Sequence, residues 1–261
     1  MASNEAPVLS DRHGQHIAIF TINRPDARNA INGEVAEAIE AAVNDVEADE
    51  RLRVAVLTGA GGRVFSAGAD LKEVSRGNLD KLIRKENGFA GFVHAKRRKP
   101  WIAAVEGLAV AGGCEIALAC DMIVASRGGA FGLPEVMRGL AAAAGGLYRL
   151  PRAIPRAIAI ELILTGSQLS SERAAELGMV NKLVSPGEVL KTALALAEAV
   201  AANAPLAVRE SLGVAKLAAD LDDATLRRLS DEAQERLKQT EDFREGPRAF
   251  VEKRPPVWTG R

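Results

Sequence analysis

The 261-residue chain is short of the side chains that most often carry chemistry unaided: it has two cysteines, three histidines and one tyrosine. Cys114 and Cys120 lie six apart in an apolar run, which makes neither a disulfide framework nor a zinc set, so a reduced setting is expected. His13, His16 and His94 have no cysteine or carboxylate partners at metal spacing and no serine-centred nucleophile elbow accompanies them; they read as surface histidines, and no metal is expected. Net charge is also lacking, with 34 basic residues against 34 acidic ones, so no global field favours a polyanion and no nucleic acid is expected as a partner. Long apolar runs are missing too. The most apolar stretch, Trp101 to Leu118, is broken by Glu106, three glycines and Glu115 and falls short of a membrane span. The first fifteen residues carry no cationic stretch followed by an apolar one, so the expected setting is cytoplasmic, without a membrane anchor. Gly59 to Val64 lacks the third glycine of a dinucleotide fingerprint, and nothing matches a Walker loop.

What the chain does have is the composition of an ordinary globular protein, 48% apolar and 26% charged, and enough length for one sizeable body. Ile17 to Ile22 (IAIFTI) predicts a strand ended by Asn23-Arg24-Pro25. From Asn32, apolar residues at Val35, Ala38, Ile39, Ala42, Val43 and Val46 predict an amphipathic helix with an acidic outer face. Val54 to Thr58, Ile102 to Val105 and Met122 to Ala125 read as buried strands, and Pro155 to Leu164 as a helix. The fold class is α/β. After about Ser170 the character turns helical: a helix starts at Ser171, Gly178 to Val184 is extended, and alanine-rich helices fill most of Pro186 to Thr240. The end, from Glu245, is too proline-rich for a long helix yet carries Phe250, Val251 and Trp258, which suggests a tail packed on something.

Three segments are candidates for chemistry. Val64 to Lys72 (VFSAGADLK) follows a strand, and its small residues suit either close approach of a ligand to backbone N–H groups or a tight loop. Ala109 to Asp121 (AVAGGCEIALACD) places paired glycines before an alanine-rich helix. Bare N–H groups at such a terminus stabilise an oxyanion, and equally the glycines permit packing while Glu115 complements the dipole. Phe131 to Glu135 (FGLPE) sets a carboxylate on a restricted turn, twenty residues after Glu115. Two carboxylates at a dry site can be driven to different protonation states, giving one acid and one base; a Pro-Glu pair is also an ordinary helix start. Lys96 to Lys99 (KRRK) is the one basic cluster, read as a solvated helix end with phosphate binding as the lesser alternative.

Taken in order, these segments resemble the crotonase (enoyl-CoA hydratase/isomerase) family from about Ile17 to the C-terminus. Further likeness lies in Gly145-Gly146, Leu164 to Gly166, Ala174 to Gly178 and Glu245 to Arg254. The resemblance implies a core of repeated ββα turns, drawn as residues 1–195, and a C-terminal helical region with a tail, 196–261, assembled as trimers that pair into hexamers. It implies an acyl-CoA substrate and no cofactor beyond the coenzyme A the substrate carries. The peptide N–H groups of Ala69 and Gly112 would form an oxyanion hole. Ala67, Asp70, Leu71 and Lys72 would line the coenzyme A side, and Phe250 and Lys253 match tail positions that reach a neighbouring subunit's coenzyme A. Glu115 and Glu135 match the two glutamates of the hydratases: Glu115 activates water for attack at C3 and Glu135 protonates C2.

The chain departs from the family in two places. Ala142-Ala143-Ala144-Gly145-Gly146 replaces a more glycine-rich loop, and Leu133 replaces a polar residue before Pro134-Glu135. The ending also resembles the carnitinyl-CoA dehydratases. The implied activity is therefore 2-enoyl-CoA hydration in fatty-acid oxidation, with carnitinyl-CoA dehydration or another specialised reaction as the alternative. Double-bond isomerisation ranks lower because both glutamates are kept.

Overall fold

A computed structural model of the protein describes residues 6–261. Its main sheet has six strands in the order β1 (Val8–His13), β2 (Ile17–Ile22), β3 (Val54–Gly59), β7 (Trp101–Val105), β9 (Met122–Ser126) and β12 (Lys182–Val184). Apart from the antiparallel β1–β2 hairpin, all its pairings are parallel. The central β3 and β7 are buried along nearly their whole length, as expected of parallel strands covered on both faces. A second sheet of four short strands runs in the order β11 (Gln168–Ser170), β10 (Ala130–Gly132), β8 (Leu108–Val110) and β4 (Val64–Ser66), and β5 (Ile83–Arg84) pairs β6 (Gly88–Phe89).

One face of the main sheet is covered by α1 (Gly33–Ala48), whose buried Val35, Ala36, Ile39, Ala42, Val43 and Val46 follow the expected spacing and whose N-terminus is capped by the Asn32 side chain. On the other face lies α8 (Val189–Ala201), packing Val189, Ala193, Ala197 and Ala201 against Val54, Val56, Ile102 and Val124. Residue 195, the boundary drawn from the sequence, falls inside this helix. Two short helices, α2 (Leu71–Ser75) and α3 (Leu79–Leu82), precede β5; α4 (Gly112–Ala119), α5 (Gly146–Ala153), α6 (Arg156–Thr165) and α7 (Ser171–Glu176) pack around the second sheet. The chain ends in α9 (Pro205–Ala215), α10 (Asp223–Lys238) and α11 (Glu241–Val251). No single helix among the described residues is long and apolar enough to cross a membrane.

Two expectations are corrected. The tail continues as a helix to Val251 despite Pro247. The missing proline N–H costs one bond, and a cluster of other bonds offsets it. Glu245 accepts from Arg248, from Arg254 and from the Val257 N–H, and Asp242 accepts from the Thr259 and Gly260 N–H groups. At its C-terminus the Arg254 N–H donates to Ala249 and that of Lys253 to Phe250, a Schellman ending with Lys253 in the left-handed conformation (φ 54°). The tail is indeed packed: Trp258 Nε1 donates to Ala202 O, and Arg53 donates to Ala201 O and Trp258 O.

The basic cluster is not a solvated helix end. Lys99 is 1% exposed, and its Nζ donates to Val46 O at 2.5 Å and Asp49 O at 2.8 Å, capping the C-terminus of α1. Arg97 stacks on the Phe92 ring and donates to Phe92 O and Ala119 O. Two of the four cations therefore serve orphaned carbonyls. Replacing Lys99 by Met is expected to cost about 2–3 kcal/mol in urea unfolding, because losing a charged donor leaves buried carbonyls unsatisfied. Lys96→Gln, at an exposed position, is expected to stay within about 0.5 kcal/mol. Equal midpoints for the two variants would contradict the capping role.

Candidate active site

Three adjacent strands of the second sheet bring the candidate segments together. β4 and β10 both pair in parallel with β8, with Ser66 and Phe131 each opposite Ala109. The residues beyond their carboxyl ends therefore emerge side by side: Ala67 to Asp70 after β4, Ala111 to Glu115 after β8, and Leu133 to Glu135 after β10. Carboxyl ends of parallel strands are where α/β folds place ligands.

The first loop is held by a residue absent from the sequence-based set. Asn29, fully buried and left-handed (φ 53°), donates its side-chain amide to Ala60 O and Val64 O and accepts from the Arg24 N–H. Its own carbonyl accepts from Ser66 Oγ, which in turn accepts from the Gly68 N–H. Asn tolerates the left-handed region better than most residues, which was the available signal. Asp70 caps α2 through the Lys72 N–H and pairs with Arg24 at 3.0 Å. Burial works against its charge, yet the Arg24 guanidinium and the Lys72 N–H outweigh it and hold the carboxyl below its ordinary range. The carboxylate is thus committed within the chain. Ala67 is half-buried, and Leu71 and Lys72 are exposed on the rim.

Gly68 (φ 81°) lies against the second loop so closely that a Cβ there would sit 2.6 Å from the Gly112 nitrogen. Ala111 holds φ 51° and ψ −131°, a conformation costly for a residue with a Cβ, and its N–H donates to Gly132 O at 2.9 Å, tying the start of α4 to the end of β10. The peptide N–H groups of Ala69 and Gly112 donate to no acceptor among the described residues.

Glu115, in the first turn of α4, is 4% exposed. Its Oε1 accepts from the Gly146 N–H at 2.9 Å, at the N-terminus of α5. Burial raises its pKa to about 7; the Gly146 and Ala144 N–H groups and Arg149 oppose the rise, and the Glu135 charge adds to it. The alanine-rich loop therefore keeps the N–H groups that matter. Leu133 is buried and packs on Gly146 so tightly that a Cβ there would meet its Cδ1 at 2.8 Å. Glu135 stands half-buried at the start of a 3-10 turn, Pro134–Arg138. Burial raises its pKa as well, against its own peptide N–H and Arg138. Its Oε2 is buried without a hydrogen-bond partner among the described residues.

Phe250 (84% exposed) and Lys253 lie at the end of α11 and are not brought to the three loops within this chain. His13 pairs with Glu198 at 2.6 Å, His16 Nδ1 bonds Arg51 O at 2.8 Å, and His94 Nε2 lies 3.3 Å from the Tyr148 hydroxyl. Among the described residues no cluster suits a metal ion.

The fold and candidate site thus define an α/β protein in which two carboxyls of raised pKa lie on segments next to the loops that carry the unpaired Ala69 and Gly112 N–H groups. Residues 12–261 match the family model described as enoyl-CoA hydratase/isomerase, and the chain belongs to that family. It is 36% identical to a short-chain-enoyl-CoA hydratase of Clostridium acetobutylicum, over 95% of both chains. It is 38% identical to a carnitinyl-CoA dehydratase of Salmonella typhimurium, over 96% of this chain and 97% of that one. Among solved structures it matches an enoyl-CoA hydratase from Mycobacterium marinum with a TM-score of 0.94 and 48% identity, covering 98% of this chain and all of the other. The crotonase-type fold follows from this likeness.

A carboxyl whose folded pKa is raised binds its proton more tightly folded than unfolded. Stability is then lost as pH rises from the ordinary carboxylate value of 4.5 through about 7. Glu115→Gln removes this loss. The variant is expected to gain about 2 kcal/mol relative to the parent between pH 5 and pH 8. Thermal unfolding at both pH values checks it; a parallel pH dependence in parent and variant would contradict the raised pKa.

Proposed function

We propose that the protein hydrates 2-enoyl-CoA thioesters. The observation that carries this reading is the pair of unequal carboxyls: Glu115 held by a peptide N–H, Glu135 with a buried oxygen and no partner. Addition of water across a conjugated thioester calls for a base for the water and an acid for C2, whereas moving a double bond can be done by one group that takes and returns a proton.

In this mechanism the thioester carbonyl accepts from the N–H groups of Ala69 and Gly112. Ionised Glu115 takes a proton from water as its oxygen bonds to C3. The π pair of the C2=C3 bond becomes a C1=C2 bond as the carbonyl π pair moves onto the thioester oxygen, forming an enolate that the two N–H groups stabilise. Glu135 then delivers its proton to C2 as the enolate collapses. Because neighbouring carboxyls titrate together, the roles belong to the pair. The reverse sequence removes water.

The coenzyme A portion lies along Ala67, Asp70, Leu71 and Lys72 in this reading, with Asp70 shaping that side of the site, since its carboxylate is taken by Arg24 and its N–H by Ile31 O. Phe250 and Lys253, exposed on α11, reach a neighbouring subunit's coenzyme A in a trimer or a hexamer of paired trimers, so that residues 1–195 carry the chemistry and 196–261 the subunit contacts. No cofactor is needed beyond the coenzyme A of the substrate. A cytoplasmic place in fatty-acid oxidation fits this activity. Carnitinyl-CoA dehydration is the second reading, favoured by the likeness to the Salmonella enzyme and by the ending from Glu245 to Trp258.

Incubation with crotonyl-CoA is expected to abolish the absorbance of the conjugated thioester. Glu115→Gln and Glu135→Gln should each lower kcat roughly 10²–10⁴-fold. The kcat/KM profile should fall as pH drops through about 7, where Glu115 becomes protonated. Turnover of crotonobetainyl-CoA with none of crotonyl-CoA would replace the leading reading by the second. Intact 3-enoyl-CoA isomerisation in Glu115→Gln, with no hydration by the parent, would replace both.

A further inference from the structure

Arg149 lies one turn into α5, and its guanidinium folds back over the loop that starts the helix. Nη1 donates to Ala144 O at 3.1 Å and Nη2 donates to Val93 O. The group sits so close that a Cβ on Gly145 would lie 1.9 Å from Nη1, while Gly145 itself has φ 118°. Glycine is therefore required there on two counts. The other side of the same loop presents the Gly146 N–H to Glu115. Arg149 holds the carbonyl side of the loop, and Glu115 is held by its N–H side.

The second bond reaches a different part of the site. Val93 follows β6 and donates its N–H to Phe89 O at the end of that strand, and the Phe89 ring packs over Gly112 so tightly that a Cβ on Gly112 would meet it at 2.4 Å. One planar cation thus spans the segment that covers Gly112 and the loop that holds Glu115. The guanidinium fork offers each carbonyl a separate nitrogen, whereas a lysine ammonium would have to draw both carbonyls to one point.

We propose that Arg149 is a positioning residue that clamps the Val93 segment to the Ala144–Gly146 loop and so sets the placement and proton affinity of Glu115. The role in turnover rests on the hydratase reading above; the effect on Glu115 itself does not. Charged and titratable groups around Glu115 are Glu135 from the 3-10 turn, Cys114 from α4 and Arg149 from α5. Around Arg149 they are Tyr148 and Arg152 on its own helix, Glu115 and Cys120 on and after α4, and Arg97 before β7. Arg149 favours the ionised form of Glu115 in two ways, through the cation's field and through the N–H groups it fixes. Removal of the guanidinium therefore raises the proton affinity of Glu115.

The test uses the full chain with Arg149→Met and Arg149→Lys. In ligand-free protein carrying ¹³C-labelled glutamate carboxyls, the Glu115 signal is identified by its loss in Glu115→Gln and titrated. Its midpoint, about 7 in the parent, is expected to rise by about one unit in Arg149→Met, a tenfold change in proton affinity. A smaller rise is expected in Arg149→Lys, which keeps charge but loses the bridge. With crotonyl-CoA, kcat should fall roughly 10–100-fold in Arg149→Met while KM changes less than about threefold, and the acid limb of kcat/KM should move up with the titration midpoint. An unchanged Glu115 midpoint in folded Arg149→Met overturns the proposal whatever the activity. Should that variant fail to fold, an unchanged midpoint in Arg149→Lys, with unchanged kcat, overturns it equally. A parent without crotonyl-CoA turnover sinks the hydratase reading and leaves the titration to decide the role of Arg149.

Discussion

The site depends on the parallel ladder of β4, β8 and β10. Backbone hydrogen bonds set these three short strands in register, so the three segments beyond their carboxyl ends are neighbours although they are separated by tens of residues in sequence. The side chains within the strands are mostly apolar and at least half-buried, and none of them is a candidate for the chemistry. Their work is to aim the segments that leave the sheet: a loop, a helix N-terminus and a 3-10 turn. The bond from the Ala111 N–H to Gly132 O fastens two of these ends to each other at the cost of a backbone conformation that Ala111 would not otherwise choose.

Around this ladder the polar groups are arranged in opposed pairs. Asn29 holds the Ala60 and Val64 carbonyls ahead of the first loop and Arg24 its Asp70 carboxylate, while the N–H groups of Ala67, Gly68 and Asp70 are taken by Arg28 O, Ser66 Oγ and Ile31 O, so that Ala69 alone keeps an unpaired N–H there among the described residues. Arg149 holds the Ala144 carbonyl of the loop before α5, and the Gly146 N–H of that loop meets Glu115. At the second loop a donor side chain occupies one edge of the peptide chain while the other edge meets the glutamate. The same principle, applied to stability alone, puts Lys99 on the last carbonyls of α1. Charged residues that read as surface features from the sequence are in fact donors to orphaned backbone acceptors, because a buried carbonyl without a partner is costly.

The long regular elements were legible in the sequence. The α1 stripe, the buried runs of β3, β7 and β9 and the helix from Arg156 follow from period and caps. β1 was missed because an edge strand with an exposed middle carries no apolar alternation. The second sheet was missed because three residues are too few to show a period, although it is the sheet that builds the site. The extent of α11 was underestimated because Pro247 signals a break, and its compensation comes from Glu245 and Asp242 binding residues as far on as Val257 and Gly260.

The sequence by itself determined the composition of the site: two carboxylates, two glycine-bearing loops after strands and, through the ordered set of motifs, the family to which the chain belongs. These are local properties, written in residue type and spacing. Tertiary structure alone decided that the carboxyls are unequal. Whether a glutamate is an acid, a base or a helix-dipole partner depends on how much water it has lost and on which N–H groups meet it. Both are set by segments distant in the chain: Gly146, 31 residues away, holds Glu115, whereas Glu135 Oε2 is buried with no partner.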